Sequence, residues 1–193
     1  MAIVSVPDEG VRIDSAEAIQ RFLANFGIWY ESADAEAKVR ADAPAEEVLA
    51  AYRPEVERLM KRGGYVTADV IDVTSATPGL DAMLEMFNKE HTHSEDEVRF
   101  VVAGSGIFHI HPQFGPVFSV EMSAGDMINV PAGTRHWFNL CADRTIKAIR
   151  LFKDRAGWTP HYVEDGIHGR YQPLCLGPAF IPGGQRRSQV VEP

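Results

Sequence analysis

Apolar residues recur at helical spacing in the first third of the chain. Ile19, Phe22, Leu23 and Phe26 form one stripe, with Asp14 and Glu17 at capping-box spacing before it and Gly27 as a stop after it. A second stripe over positions 44–62 contains Val48, Leu49, Tyr52, Val56, Leu59 and Met60. Pro54 is expected to kink or split that helix, and Gly63-Gly64 to end it. The texture then changes. Positions 65–74 are rich in β-branched residues and read as a strand. Leu80, Met83, Leu84 and Phe87 follow at i, i+3, i+4 and i+7, which predicts a short helix. Short strands are expected next at 97–103, 107–111, 117–122, 127–130, 136–140 and 145–152. The turns between them include Gly104-Ser105-Gly106, Gly125-Asp126 and Pro131-Ala132-Gly133. Many short strands with Gly and Pro turns predict a mainly β sandwich or barrel. The expected organisation is a helical N-terminal region over 1–64 packed on a β barrel over 65–172. A loop and frayed tail over 173–193 would complete one compact domain.

Composition narrows the function classes. A chain of 193 residues with 45% hydrophobic content can bury a core without staples. No run approaches the ~18 apolar residues of a membrane span. Net charge is −8, and Lys/Arg pairs occur only at Lys61-Arg62 and Arg186-Arg187, so no nucleic-acid or membrane partner is expected. Residues 1–10 lack the basic region of a signal peptide. Cys141 and Cys175 lie outside any CxxC spacing. They are therefore expected to be free thiols in a reducing cytoplasm.

The chemistry concentrates in His91-Thr92-His93-Ser94-Glu95-Asp96-Glu97. Side chains alternate along a strand, so His91 and His93 share a face, and Glu97 has the same parity. His136 follows the Pro131-Ala132-Gly133 turn and is the natural fourth donor. Three imidazoles and one carboxylate suit a borderline divalent transition metal. On an octahedral ion four such ligands leave two positions open, an arrangement for chelating a substrate rather than for a closed structural site. His109-Ile110-His111 also places two histidines on one face, but position 115 is Gly and offers no carboxylate.

These residues resemble the cupin signature. His91, His93, Glu97 and Gly104 match its first motif, and Gly125, Pro131, Gly133 and His136 match its second. The opening Gly is replaced by Glu85, and the closing Asn stands one residue early at Asn139. The run from Glu90 to Phe100, together with that from Val130 to Phe138, resembles the acireductone dioxygenase family over about 70–152.

That resemblance implies a double-stranded β-helix, or jelly-roll barrel, with N-terminal helices and a short helix before the metal motif. It implies one Fe(II) or Ni(II) ion per chain, held by His91, His93, Glu97 and His136. The implied reaction belongs to methionine salvage, where 1,2-dihydroxy-3-keto-5-methylthiopentene is cleaved by O2. The iron form would give formate and 2-keto-4-methylthiobutyrate; the nickel form would give formate, CO and methylthiopropionate. Phe87 and Phe138 would flank the substrate, though both also suit ordinary packing. Arg99 would help the substrate reach its dianion, and it could also neutralise Glu97 or Asp96. Arg150 has a weaker claim to bind substrate. Glu90 would serve metal loading, and Asp96 would transmit local conformational change. A cytoplasmic monomer is expected. The alternative is a non-oxygenase cupin, either an isomerase or decarboxylase or a small-molecule-binding module.

Overall fold

Eleven hydrogen-bonded strands form the two faces of an open sandwich in the computed structural model, which describes residues 1–33 and 38–177. The first strands are β1 (Ile3–Val6), β2 (Val11–Ile13), β3 (Tyr30–Ser32) and β4 (Thr67–Val73). The central run is β5 (His91–Thr92), β6 (Glu97–His111), β7 (Phe118–Ser123), β8 (Asp126–Val130), β9 (Arg135–Leu140), β10 (Ile146–Phe152) and β11 (His161–Tyr162). One face runs β2-β1-β7-β6-β9-β5-β11. The other is built from β4, β10, β6, β8 and β3.

Strand β6 belongs to both faces. Its first half pairs with β8 and β10, and its second half with β7 and β9. Here the expected turn at Gly104-Ser105-Gly106 is corrected: the chain runs on as one strand. A bulge replaces the turn, because the register with β10 shifts between Lys147 and Ala148 and leaves Val102 unpaired. Gly104 has φ 73°, and a Cβ there would run into the Thr145 carbonyl, so the bend needs glycine. The bulge also swaps the two sides of the strand. Val101 faces the inner core before it, and Phe108 and Ile110 face that core after it.

The N-terminal 64 residues are more than a helical attachment. Strands β1 and β2 extend one face and β3 the other, and Val4, Val6 and Tyr30 are buried in the main core. These strands are only three or four residues long, too short for alternation to stand out. Helix α1 (Ala16–Ala24) is capped by Ser15, whose hydroxyl accepts from Ala18 N, and not by Asp14. Helices α2 (Ala45–Ala51) and α3 (Arg53–Gly63) break at Tyr52, as Pro54 demands. They lay Val48, Tyr52, Val56 and Leu59 on Val98, Phe100, Val102, Ile149 and Leu151, forming a second core outside the β10-β6-β8 sheet. Helix α4 (Leu80–Phe87) leads into the histidine motif.

The expectation of free thiols is also corrected. Cys141 and Cys175 form a disulfide, with Cα atoms 5.7 Å apart across 34 residues of sequence. The segment carrying Cys175 folds back onto the sheet, where the Leu176 and Gly177 N–H groups donate to the Glu121 carboxylate. No sequence spacing announces such a return. The tail beyond Gly177 lies outside the described residues.

Candidate metal centre

Two strands and one bend assemble the histidine cluster. His91 on β5 stands directly opposite His136 on β9, so hydrogen-bond register alone brings their rings to 4.6 Å between centroids. His93 follows β5 and is anchored from the Pro131-Ala132-Gly133 turn, whose Gly133 N–H donates to the His93 carbonyl. Glu97 opens β6 opposite Val130, the last residue of β8. All four side chains are buried, and one donor atom from each lies within 4.8 Å of the rest.

The three rings are aimed from behind. His91 Nδ1 lies 2.7 Å from the Lys89 carbonyl, His136 Nδ1 2.8 Å from that of Thr134, and His93 Nδ1 3.4 Å from that of Thr159. Nδ1 therefore carries the proton, and Nε2 is left as a lone-pair donor toward the centre. Glu97 Oε2 is 3.1 Å from His93 Nε2 and 2.9 Å from His136 Nε2. A divalent ion with donors at about 2.1 Å sets neighbouring ligands about 3.0 Å apart across a right angle. The donor set thus fits a single transition-metal ion in type, tautomer and spacing.

Electrostatics point the same way. Burial alone would raise the Glu97 carboxyl, but the Arg99 charge above all, with the His136 and His93 rings packed against it, holds it well below the usual carboxylate range. Burial, with His136 as neighbour, lowers His91 to about 4, so its ring stays neutral and able to coordinate. Arg99 Nε donates to Glu97 Oε1 at 2.9 Å, the guanidinium lies 5.0 Å from the Trp158 ring centre, and Nη1 is buried with no hydrogen-bond partner among the described residues.

The other expected site residues are spread around this centre. Phe87 is partly buried with its ring 6.5 Å from that of His91. Phe138 lies two residues after His136 on the same face of β9 and packs on Phe108, and its ring occupies the space that Gly106 leaves. Arg150 pairs with Arg99 across β10 and β6, but it is committed to Asp69 by two 2.7 Å hydrogen bonds, so its guanidinium is already occupied. The hydrogen bonds of Asp96 go to residues other than the four ligands. It joins the surrounding loops by accepting from Tyr65 Oη and Ala132 N at 3.1 Å each, while its carbonyl accepts from Trp158 Nε1 at 3.2 Å. Glu90 is fully buried, facing away from the centre toward His111.

The His109/His111 pair lies off the centre. The β6 bulge turns both residues to the outer side of the strand, where His109 stacks on Trp137 at 4.9 Å and 3°. Reading the sequence missed Trp158, which stacks on the His93 ring at 5.8 Å and 18°. It also missed Phe108, whose ring is 6.2 Å from that of His136. Trp158 closes a single 3-10 turn, Arg155–Trp158, too short to carry a periodic signal. Phe108 could have been found only by knowing that the bulge reverses parity.

Known proteins provide an independent comparison. The family model described as ARD/ARD' matches residues 13–160. An acireductone dioxygenase of Picosynechococcus sp. is 43% identical over 158 residues, 82% of this chain and 90% of its own. One from Stutzerimonas stutzeri is 42% identical over 180 residues, 90% of this chain and 99% of its own. A solved acireductone dioxygenase from Bacillus anthracis, with a cadmium ion in its active centre, superposes with a TM-score of 0.78 at 38% identity. That match covers 84% of this chain and 98% of the other. The double-stranded β-helix is therefore a cupin fold, and with a family match over most of its length the chain belongs to the acireductone dioxygenase family.

Proposed function

We propose that the chain is a metal-dependent dioxygenase that cleaves 1,2-dihydroxy-3-keto-5-methylthiopentene with O2 in methionine salvage. Its one ion per chain would be Fe(II) or Ni(II), bound by His91, His93, Glu97 and His136. The observation that carries this reading is the convergence of three Nε2 atoms and Glu97 beside a buried guanidinium with an unused N–H. When bound, the ion supplies Lewis-acid chelation of an enediolate and an electronic route to O2.

The chain's own contribution is orientation and charge. The carbonyls of Lys89, Thr134 and Thr159 fix the imidazoles before substrate arrives, so no reorganisation is needed at the moment of reaction. Arg99 is a fixed cation in a site of low dielectric. It lowers the cost of removing the second enediol proton, and its free Nη1–H can donate to the resulting oxyanion. Phe87, Phe108, Phe138 and Trp158 surround the donors with apolar surface, keeping water from the reactive dianion. Asp96 positions the loops that carry His93 and His136.

The test uses protein stripped of metal and reloaded separately with Fe(II) and Ni(II). Each form is mixed anaerobically with synthetic acireductone before O2 is admitted. Both should remove the enediolate absorbance faster than the spontaneous reaction. The iron form should yield formate and 2-keto-4-methylthiobutyrate; the nickel form should release CO with formate and methylthiopropionate. Metal binding without O2 consumption would overturn the reading in favour of a non-oxygenase cupin. Identical products from two verified single-metal forms would remove the metal-dependent outcome alone.

A further inference from the structure

We propose that Glu90, His111 and Asp165 form a second divalent-cation site, behind the histidine strand and separate from the central cluster. Glu90 immediately precedes His91, so extended backbone sends the two side chains to opposite sides. His111 ends the outer-facing half of β6, and Asp165 comes from the loop after β11. One donor atom from each of the three lies within 4.8 Å of the others.

This cluster is short of positive charge. Glu90 is fully buried; its Oε1 is 2.5 Å from His111 Nδ1, and its Oε2 has no geometric hydrogen-bond partner among the described residues. The Asp165 carboxylate meets the same carboxyl group, so the pair must hold either a shared proton or a cation between them. Leaving a buried acceptor unsatisfied is costly, and more so when it is charged. A cation removes that cost and the repulsion together.

The surroundings resemble a prepared site. The Val163 N–H donates to the Glu90 carbonyl at 2.9 Å, and the Ile167 N–H donates to Asp165 Oδ1 at 3.0 Å, which fixes the loop beside Glu90. Arg135 meets Asp165 Oδ2 from the outside at 3.4 Å. His111 and Arg135 also line a neighbouring cleft of about 710 Å³, which brings solvent to the edge of the cluster. Two carboxylates and one imidazole make a harder donor set than the three imidazoles of the centre, and they favour an ion of the Mn(II) type.

The proposal does not rest on the reaction assigned above, and its test reads binding alone. Ni(II)-loaded protein is titrated with Mn(II), and free Mn(II) is followed by electron paramagnetic resonance. One further equivalent should bind with no release of nickel. Asp165→Asn and His111→Gln should each weaken Mn(II) binding at least tenfold at unchanged nickel content. Asp165 is at the surface, so its variant keeps the fold. Three results would overturn the site: no Mn(II) uptake by the nickel form, uptake matched by equal nickel release, or undiminished uptake in both variants.

Discussion

Replacing Arg99 with Met should harm the metal-free protein far more than the metal-loaded one. Arg99 and Glu97 are both buried, with side chains 7% and 4% exposed and a 2.9 Å contact between them. Methionine fills similar volume but brings no charge. In the metal-free protein Glu97 would then be a buried carboxylate without its guanidinium partner. Breaking a buried pair in this way costs about 3–5 kcal/mol. For a chain of this length each kcal/mol moves Tm by about 2–4 °C, so the metal-free variant should melt about 10 °C below the parent. With a divalent ion bound, the ion itself compensates Glu97. The penalty then shrinks toward that of a lost charged hydrogen bond, about 1.5–3 kcal/mol. Thermal melts of both proteins, with and without Ni(II), measure this difference directly. The loaded variant should keep its metal while turning over about 10²–10³-fold more slowly, because the substrate dianion loses its counter-charge. Equal Tm losses in the two metal states would refute charge compensation of Glu97. Loss of metal, with normal turnover by the remaining loaded fraction, would make Arg99 merely structural.

The remaining predictions concern the ligands, the disulfide and a buried histidine. His91→Ala, His93→Ala, Glu97→Ala and His136→Ala should each lose most bound metal by elemental analysis, whereas His109→Ala should keep it; a fully metallated, active His136→Ala protein would sink the ligand set. Cys141→Ser should cost roughly 3–4 kcal/mol, from the entropy released by opening a loop of 34 residues, read as a lower urea midpoint. An unchanged midpoint, with the cross-link verified in the parent, would contradict that estimate. Burial lowers His109 to about 4, below its unfolded value of about 6.5. The unfolded chain therefore binds the extra proton first, and the His109 contribution to stability should fall by about 1.4 kcal/mol per pH unit as pH drops through that window, beside a like contribution from His91 in the metal-free protein. His109→Phe should remove this slope between pH 6.5 and 4 while keeping the stack on Trp137, and a variant whose acid sensitivity matches the parent would disprove the assignment.

What could be read from the sequence was whatever depends on neighbours along the chain. His91, His93 and Glu97 announce themselves within seven residues, and Pro131, Gly133 and His136 within six. Pro54 marks the break between α2 and α3, and α4 shows in four apolar positions. Features set by the return of distant chain were hidden. Strands β1 and β3 gain their identity from pairing with β7 and β8, and β2 from pairing with β1, each too briefly for a pattern to form. Gly104-Ser105-Gly106 carries the composition of a turn, yet the sheets on both sides hold it extended. The approach of Glu90 to His111 spans 21 residues, and that of Cys141 to Cys175 spans 34. The commitment of Arg150 depends on Asp69, which reaches it only through the β4–β10 pairing.

The disulfide has a topological consequence. The covalent ring that it closes contains β10, Trp158 and β11, and so includes the strand bearing Arg150 at the middle of one sheet. The ring also contains the exposed loop around Glu164 and Asp165, where a protease would find accessible backbone. A single cut there would not divide the molecule. The two pieces would stay joined through sulfur, running as one band on a denaturing gel without reductant and as two with it. Because the severed segment cannot diffuse away, its effective concentration at the sheet would stay high, and the Leu176 and Gly177 N–H groups could return to Glu121 after each opening.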